Sequence, residues 1–253
     1  MRCWRCWTSC PRRWTMANLA QLRMLEGLSG FLLVDKPAGL PFPAVVKAVK
    51  RKFNLVKVGH GGSLDAMASG LLVLLIGDAN KHVGDVMGAD RVYAGEMQLG
   101  LRTDTHDVHG NAVGRGDVGV FPPDRLAAAI REFKGDIFQT EPRFCSVRRE
   151  GSGGYEIADT GEHKQFLAHV YRFEVEPAGE VAAFALKASK GVIVRTLVND
   201  FGETLGCGAC LKSLRRTAIG KLSVEAAVPF EKLLETGTGD FAALVTPAAK
   251  ALQ

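Results

Sequence analysis

Apolar and polar positions along the chain follow two periods, and their order predicts a mixed succession of strands and helices. The short apolar run Phe31-Leu32-Leu33-Val34, broken by Asp35-Lys36-Pro37-Ala38-Gly39, predicts a buried strand ending in a turn. Val45, Val46, Val49 and Phe53 fall at helical spacing, so Ala44 to Phe53 is expected to be a helix, with Lys47, Lys50, Arg51 and Lys52 largely off its apolar stripe. Leu71 to Ile76 is apolar at every position, the pattern of a fully buried strand. A helix is expected over Asp78 to Gly88 and a strand over Arg91 to Leu99, with Tyr93 on it. Phe121 to Phe133 opens on Pro122-Pro123-Asp124 and continues through Leu126, Ala127, Ile130 and Phe133, a capped amphipathic helix. Alternation over Val170 to Val175 and Ala183 to Ala188 predicts strands; Thr196 to Leu205 reads as a helix, Ser213-Leu214-Arg215-Arg216 as a basic strand entry and Pro229 to Leu234 as a short helix.

The flanks lack these periods. Residues 1–26 are Cys-, Trp- and Arg-rich without periodicity and read as a disordered basic extension, residues 27–234 as one folded domain, and residues 235–253 as a short glycine- and alanine-rich tail. Charge follows the same division. Net charge is +5, and Arg2, Arg5, Arg12, Arg13 and Arg23 account for all of it, since residues 1–25 contain no acid; the rest balances 27 basic against 27 acidic side chains. Bulk charge therefore says nothing about the folded part, and a polyanion site there has to come from local clusters. No apolar run approaches the length of a membrane-spanning helix. Cys3-x-x-Cys6 and Cys207-x-x-Cys210 have the spacing of zinc ligands, but the first pair sits in the extension and the second in what reads as a packed turn, so buried free thiols are the expectation.

Candidate chemistry concentrates between Gly59 and Gly70. Four glycines, His60 and the single carboxylate Asp65 lead straight into the buried strand. One reading makes Asp65 a site residue; the other makes it the cap of a helical turn over Ala66 to Ser69. Gly100 to Gly110 holds Asp104, His106, Asp107 and His109, which suit either a metal or a turn-rich loop held by Asx-type bonds; the loop is the preferred reading. Gln139 to Gly154 reads as a basic, glycine-rich loop with Arg143, Arg148 and Arg149 around Phe144, side chains able to stack unpaired bases. Arg195, after three apolar β-formers, calls for a carboxylate or a ligand, because burying it unpaired is costly.

In this order the segments resemble the TruB-type tRNA pseudouridine synthases. Val34-Asp35-Lys36-Pro37-Ala38-Gly39 is similar to the family's L-D-K-P-x-G, Gly59 to Gly70 to its G-H-x-G-x-L-D-P-x-A-x-G, and Gly100 to Gly110 to its G-x-x-T-x-T-x-D-x-x-G. Phe133-Lys134-Gly135, Gln139, Pro142, Ser189-Lys190-Gly191, Arg195-Thr196, Leu205 to Ala209 and Leu214-Arg215-Arg216 continue the match. The resemblance implies an α+β pseudouridine-synthase fold: a mixed, mainly antiparallel bent sheet with flanking helices and a central RNA-binding cleft. It further implies isomerisation of the T-loop uridine at tRNA position 55, a reaction without redox change or net hydrolysis, so neither cofactor nor metal is expected. A non-catalytic tRNA-binding or folding protein, and a synthase acting on another RNA uridine, are the alternatives.

Carried over residue by residue, Asp65 is the essential aspartate, which attacks C1′ or removes a sugar proton and in either role has to be ionised. Arg195 would pair with it, Tyr93 would stack on the base, His60 would fill the space the extruded uridine leaves, and Lys36 would support the floor or the RNA backbone. Leu214 joins these as a substrate contact; Arg148, Lys47, Lys50 and Arg215 are expected on RNA phosphates. The partner is the tRNA T-arm, the location cytoplasmic and the protein a monomer, with no membrane contact. The chain also departs from the family: Ala66 replaces a proline, Pro41-Phe42 a Thr-Ser, Arg148 a lysine, Asp159 an arginine, and Ile193 a tyrosine. The chain is expected to end near the edge of the catalytic domain, without the small RNA-binding domain that bacterial members append.

Overall fold

A computed structural model describes residue 25, residues 27–140, the backbone of 144–148 and 155–159, and residues 165–251. The N-terminal extension with Cys3 and Cys6, together with Arg143 and Arg149, lies outside the described residues. In chain order the elements are β1 (Gly30–Lys36), α1 (Phe42–Lys52), β2 (Val58–His60), β3 (Ser69–Ile76), a 3-10 turn (Gly77–His82) running into α2 (Val83–Gly88), β4 (Arg91–Leu99), β5 (Leu101–Thr103), β6 (Ala112–Arg115) and α3 (Pro123–Glu132). There follow β7 (Gly135–Thr140), β8 (Phe144–Arg148), β9 (Tyr155–Asp159), β10 (Gln165–Ala178), β11 (Val181–Ala188), α4 (Val194–Leu205), β12 (Ala209–Ile219), β13 (Leu222–Ser223), β14 (Val228–Pro229), α5 (Phe230–Glu235), α6 (Thr238–Phe241) and α7 (Ala248–Ala251).

Ten strands form one sheet in the order β14-β1-β3-β12-β4-β11-β10-β7, with β2 on β3 and β13 on β12. Its pairings are antiparallel except β1 with β14 and β3 with β12. The fold is thus α+β with a mainly antiparallel sheet and flanking helices. The β3–β12 contact is short, Arg215 beside Ser69 and Arg216 beside Gly70. That seam joins two halves with separate cores. On one side Leu72, Leu74 and Ile76 face Phe42, Val45 and Val49 of α1, while Leu71, Val73 and Leu75 face Phe31, Val86 and Ile219. Burial on both faces is why the run carries no polar residue. On the other side Met97, Phe173, Phe184 and Leu186 pack beneath Leu197, Val198 and Phe201 of α4. Only glycine fits at position 70, where φ is +100° and a Cβ would collide with the Arg216 carbonyl oxygen.

Four expectations need correction. Arg195 is on no strand: it lies in the first turn of α4, because the chain leaves the sheet after β11 and Ile193 already caps a helix. The expected loop after Gln139 is partly sheet: Gln139 belongs to β7, and β8 and β9 pair as an antiparallel hairpin. No helix follows Asp65: residues 66–67 only bend, and a single turn closes where the Ala68 N–H donates to the Asp65 backbone oxygen at 3.1 Å. Nor do residues 235–251 hang free. Phe241 is buried against Phe53, their rings 3.7 Å apart, and Thr246 bridges to Phe31, because β1 leaves an edge and an apolar face to cover.

Candidate active site

The loop between β2 and β3 is held from below by two buried cations. Lys36, at the end of β1, is fully buried, and its Nζ donates to the carbonyls of Pro37 (2.8 Å), Leu40 (2.7 Å) and Ala66 (3.3 Å). The Gly39 N–H donates to the same Ala66 oxygen at 2.7 Å, which stitches the turn after β1 to the loop. Across the seam Arg216, 1% exposed, donates to Leu71 O (Nε, 2.8 Å), Ser63 O (Nη1, 2.8 Å) and Gly62 O (Nη2, 3.4 Å). A buried cation is tolerable only when its donors are satisfied, so these carbonyls turn inward. Leu64 inserts into the α4-side core, a burial that contributes about 1.5–3 kcal/mol. With its neighbours anchored in this way, the Asp65 side chain stands at the surface, 38% exposed.

Burial shifts both floor cations in the direction that disfavours charge. The Lys36 ammonium falls to about 8, since desolvation outweighs the attraction of Asp65, and the Arg216 guanidinium is pushed down as well. Across the ladder Arg216 stands opposite Tyr93, its register partner on β4. Strand alternation places Leu214 and Arg216 on one face and Arg215 on the other.

Arg195 approaches Asp65 from the front: its Nε lies 3.0 Å from Asp65 Oδ2. The same guanidinium donates through Nη1 to Thr105 O at 2.9 Å and stands 3.8 Å from Asp107 Oδ2. Asp107, 13% exposed in its side chain, accepts from Thr105 Oγ1 (3.0 Å) and the His109 N–H (2.9 Å), while Asp104 accepts from the Asn111 N–H (2.8 Å). These are the Asx-type bonds of a turn-rich loop. Arg195 is therefore gripped between two carboxylates and a carbonyl, an arrangement that fixes its orientation.

A cavity of about 760 Å³ opens over these groups, lined among others by Asp65, Arg91, Tyr93, Lys190, Ile193, Arg195, Leu214 and Arg216. Its size suits a nucleobase with its sugar. Of the residues singled out in the sequence, Asp65, Tyr93, Arg195 and Leu214 come together here; the others do not. His60 is on β2, its ring 4.9 Å from that of Phe42, outside the cavity lining. Lys36 is under the loop, where complete burial bars it from RNA. Arg215 makes a two-point pair with Asp35 (3.0 and 2.7 Å), and its side chain is 42% exposed. Lys47 and Lys50 are exposed on α1. Arg148 ends β8, and its side chain lies outside the described residues.

Sequence reasoning missed Asp107, Arg216, Arg91 and the role of Gln139. Asp107 was visible only as a turn residue, and nothing in Leu214-Arg215-Arg216 says which arginine points inward. Among the described residues no His, Cys, Asp or Glu cluster has the makings of a metal site, and no helix is long and apolar enough to cross a membrane. Cys207 and Cys210 are buried thiols, and burial pushes Cys210 up to about 11.

The comparisons with known proteins agree with one another. The TruB family pseudouridylate synthase N-terminal domain matches residues 50–194, and the tRNA pseudouridylate synthase B C-terminal domain matches residues 195–253. The second match begins in α4 and takes in β12, so that region shares the large sheet with the first. A tRNA pseudouridine synthase B of Burkholderia pseudomallei (strain 668) is 39% identical over 212 residues, 82% of this chain and 70% of its own. That of Stutzerimonas stutzeri (strain A1501) is 36% identical over 246 residues, 94% of this chain and 80% of its own. Among solved structures, a Cbf5-Nop10-Gar1 complex superposes with a TM-score of 0.69 at 26% identity, covering 91% of this chain and 63% of that one. An H/ACA RNP bound to a substrate RNA containing 2′-deoxyuridine gives 0.67 at 25% identity, covering 91% and 62%.

Proposed function

Because the chain belongs to the TruB family of pseudouridylate synthases, we propose that it isomerises uridine to pseudouridine in tRNA, at position 55 of the T-loop, with Asp65 as the catalytic carboxylate. The observation that carries this reading is the 3.0 Å contact of Arg195 with Asp65 at the wall of a nucleoside-sized cavity that Tyr93 also lines. The reaction breaks the N1–C1′ bond, turns the uracil in place and joins C5 to C1′; the C5 proton leaves and N1 gains one. Redox state is unchanged and no water is added, so the side chains suffice. Asp65, as the carboxylate, either attacks C1′ or removes a sugar proton, and the Arg195 guanidinium 3.0 Å away holds it in place. The Tyr93 ring holds the detached uracil against rotation out of the cavity. Leu214, on the same wall, contacts the base.

On this reading the partner is the T-arm of tRNA, met by a cytoplasmic monomer. Lys47 and Lys50 of α1, and Arg148, act on the phosphate backbone. Asp65→Asn is expected to abolish pseudouridine formation in a purified T-arm stem-loop while RNA affinity stays within about tenfold. Retained turnover would overturn the assignment of Asp65. A map of pseudouridines in total RNA with and without the gene tests the position: loss at tRNA uridine 55 supports it, and loss only elsewhere replaces it with another RNA target.

A further inference from the structure

We infer that Gln139 is a positioning residue for Arg195: its side-chain amide closes the N-terminus of α4 from outside the helix and so fixes the backbone that brings the guanidinium to Asp65. The inference rests on the catalytic reading above and adds a residue to it. Gln139 is 1% exposed, at the edge of the sheet on β7, and does not line the cleft. Its Oε1 accepts from the Ile193 N–H at 3.0 Å and its Nε2 donates to the Ile193 carbonyl at 3.1 Å. One amide orientation satisfies both bonds at once.

Ile193 is the N-cap of α4, in extended conformation, and has no side chain with which to cap. In an ordinary capping box a Glu or Gln at the third helical position reaches back to the N-cap N–H. Here that position is Thr196, whose hydroxyl turns away and donates to Thr140 O at 3.5 Å. The missing acceptor comes instead from Gln139, across the chain. Neighbouring β7 residues thus hold α4 on both sides of Arg195, at 193 and at 196. The Ile193 carbonyl also accepts from the Leu197 N–H, whereas the only bond shown for the Ile193 N–H among the described residues is the one to Gln139. A buried N–H without an acceptor is costly, so an apolar side chain at 139 would loosen this turn. Displacements of about 1 Å in a catalytic constellation cost on the order of 10²-fold in rate.

The test compares the wild type with Gln139→Leu and the milder Gln139→Met, each in the native and in the Arg195→Lys background. Single-turnover pseudouridine formation in tRNA is expected to slow at least tenfold in the native background with tRNA affinity within twofold, and to change less than twofold when Arg195 is already Lys. Amide hydrogen exchange over residues 193–198 is expected to rise at least tenfold, with the rest of α4 unchanged. An equal loss in both backgrounds, or unchanged exchange, overturns the inference. A wild type that forms no pseudouridine in tRNA would instead sink the functional reading, and the exchange arm would still decide whether Gln139 holds the helix start.

Discussion

Two groups of cations serve this protein in different ways, and the contrast lies in what each one binds. Lys36 and Arg216 are buried under the Gly59–Gly70 loop, and the carbonyls of residues 62, 63 and 66 turn toward them. Lys47 and Lys50 point into solvent from α1, while the helix buries Phe42, Val45 and Val49 on its other side. A buried cation dictates backbone shape, because a carbonyl that failed to meet it would leave both groups unsatisfied. An exposed cation dictates nothing about the chain around it; it shapes only the field an approaching polyanion meets. Arg215 belongs to neither group. It spends its charge on Asp35, although it is the sequence neighbour of Arg216.

The contrast breaks most sharply at Arg216. Arg216→Met is expected to cost about 3 kcal/mol of folding stability, since it strands the carbonyls of Gly62, Ser63 and Leu71. Urea denaturation measures this, and a loss under about 1 kcal/mol would mean that the loop does not depend on its floor. Next comes Asp107→Ala, which leaves the Arg195 guanidinium with one carboxylate in place of two. A cost of about 2 kcal/mol is expected, together with slower single-turnover catalysis; an unaltered rate would show that Asp65 alone orients Arg195.

Lys36 gives a pH signature of definite sign. Its folded value of about 8 lies below the 10.5 of an unperturbed lysine, so between these limits the unfolded chain binds more protons. Its burial penalty is therefore complete below pH 8 and is relieved as pH rises toward 10.5. The unfolding free energy of the wild type minus that of Lys36→Met should increase across this window, and a flat difference would contradict a desolvated, charged Lys36 at neutral pH. The smallest effects are expected on α1. Lys47→Ala and Lys50→Ala should stay within about 0.5 kcal/mol in stability. Each should reduce the salt slope of tRNA binding by about one unit. Arg215→Ala should leave that slope unchanged.

Most elements were legible because their burial is written in side-chain period. The stripe of α1, the unbroken apolar run of β3 and the apolar face of α3 all follow from that period, although the expected side-chain cap of α3 does not form: its N-cap is Pro122. The failures share a cause. The helix start at Val194 defeats a reading of Val192-Ile193-Val194 as strand, because the cap that begins α4 comes from Gln139, on another strand. Parity in β12 is set by register: with Arg216 opposite Tyr93, Arg215 has to face the other way. Residues 235–253 read as a tail because Phe241 and Val245 are too sparse to make a core, yet these two side chains complete one that β1 and α1 leave open.

What the sequence determined by itself is therefore local: the apolar faces, the breaks between them, and a single acid on a glycine-rich loop at Asp65. The family's motifs in register supplied the partnership of Asp65 with Arg195, which spacing did not. The tertiary structure alone decided that Asp107 stands behind Arg195, that Arg216 and Lys36 lie beneath the loop, and that His60 and Arg215 turn elsewhere. Hydrophobic period records which side of an element is buried, but not which distant element covers it. That choice is made by strand register and by the need of every buried charge for a partner.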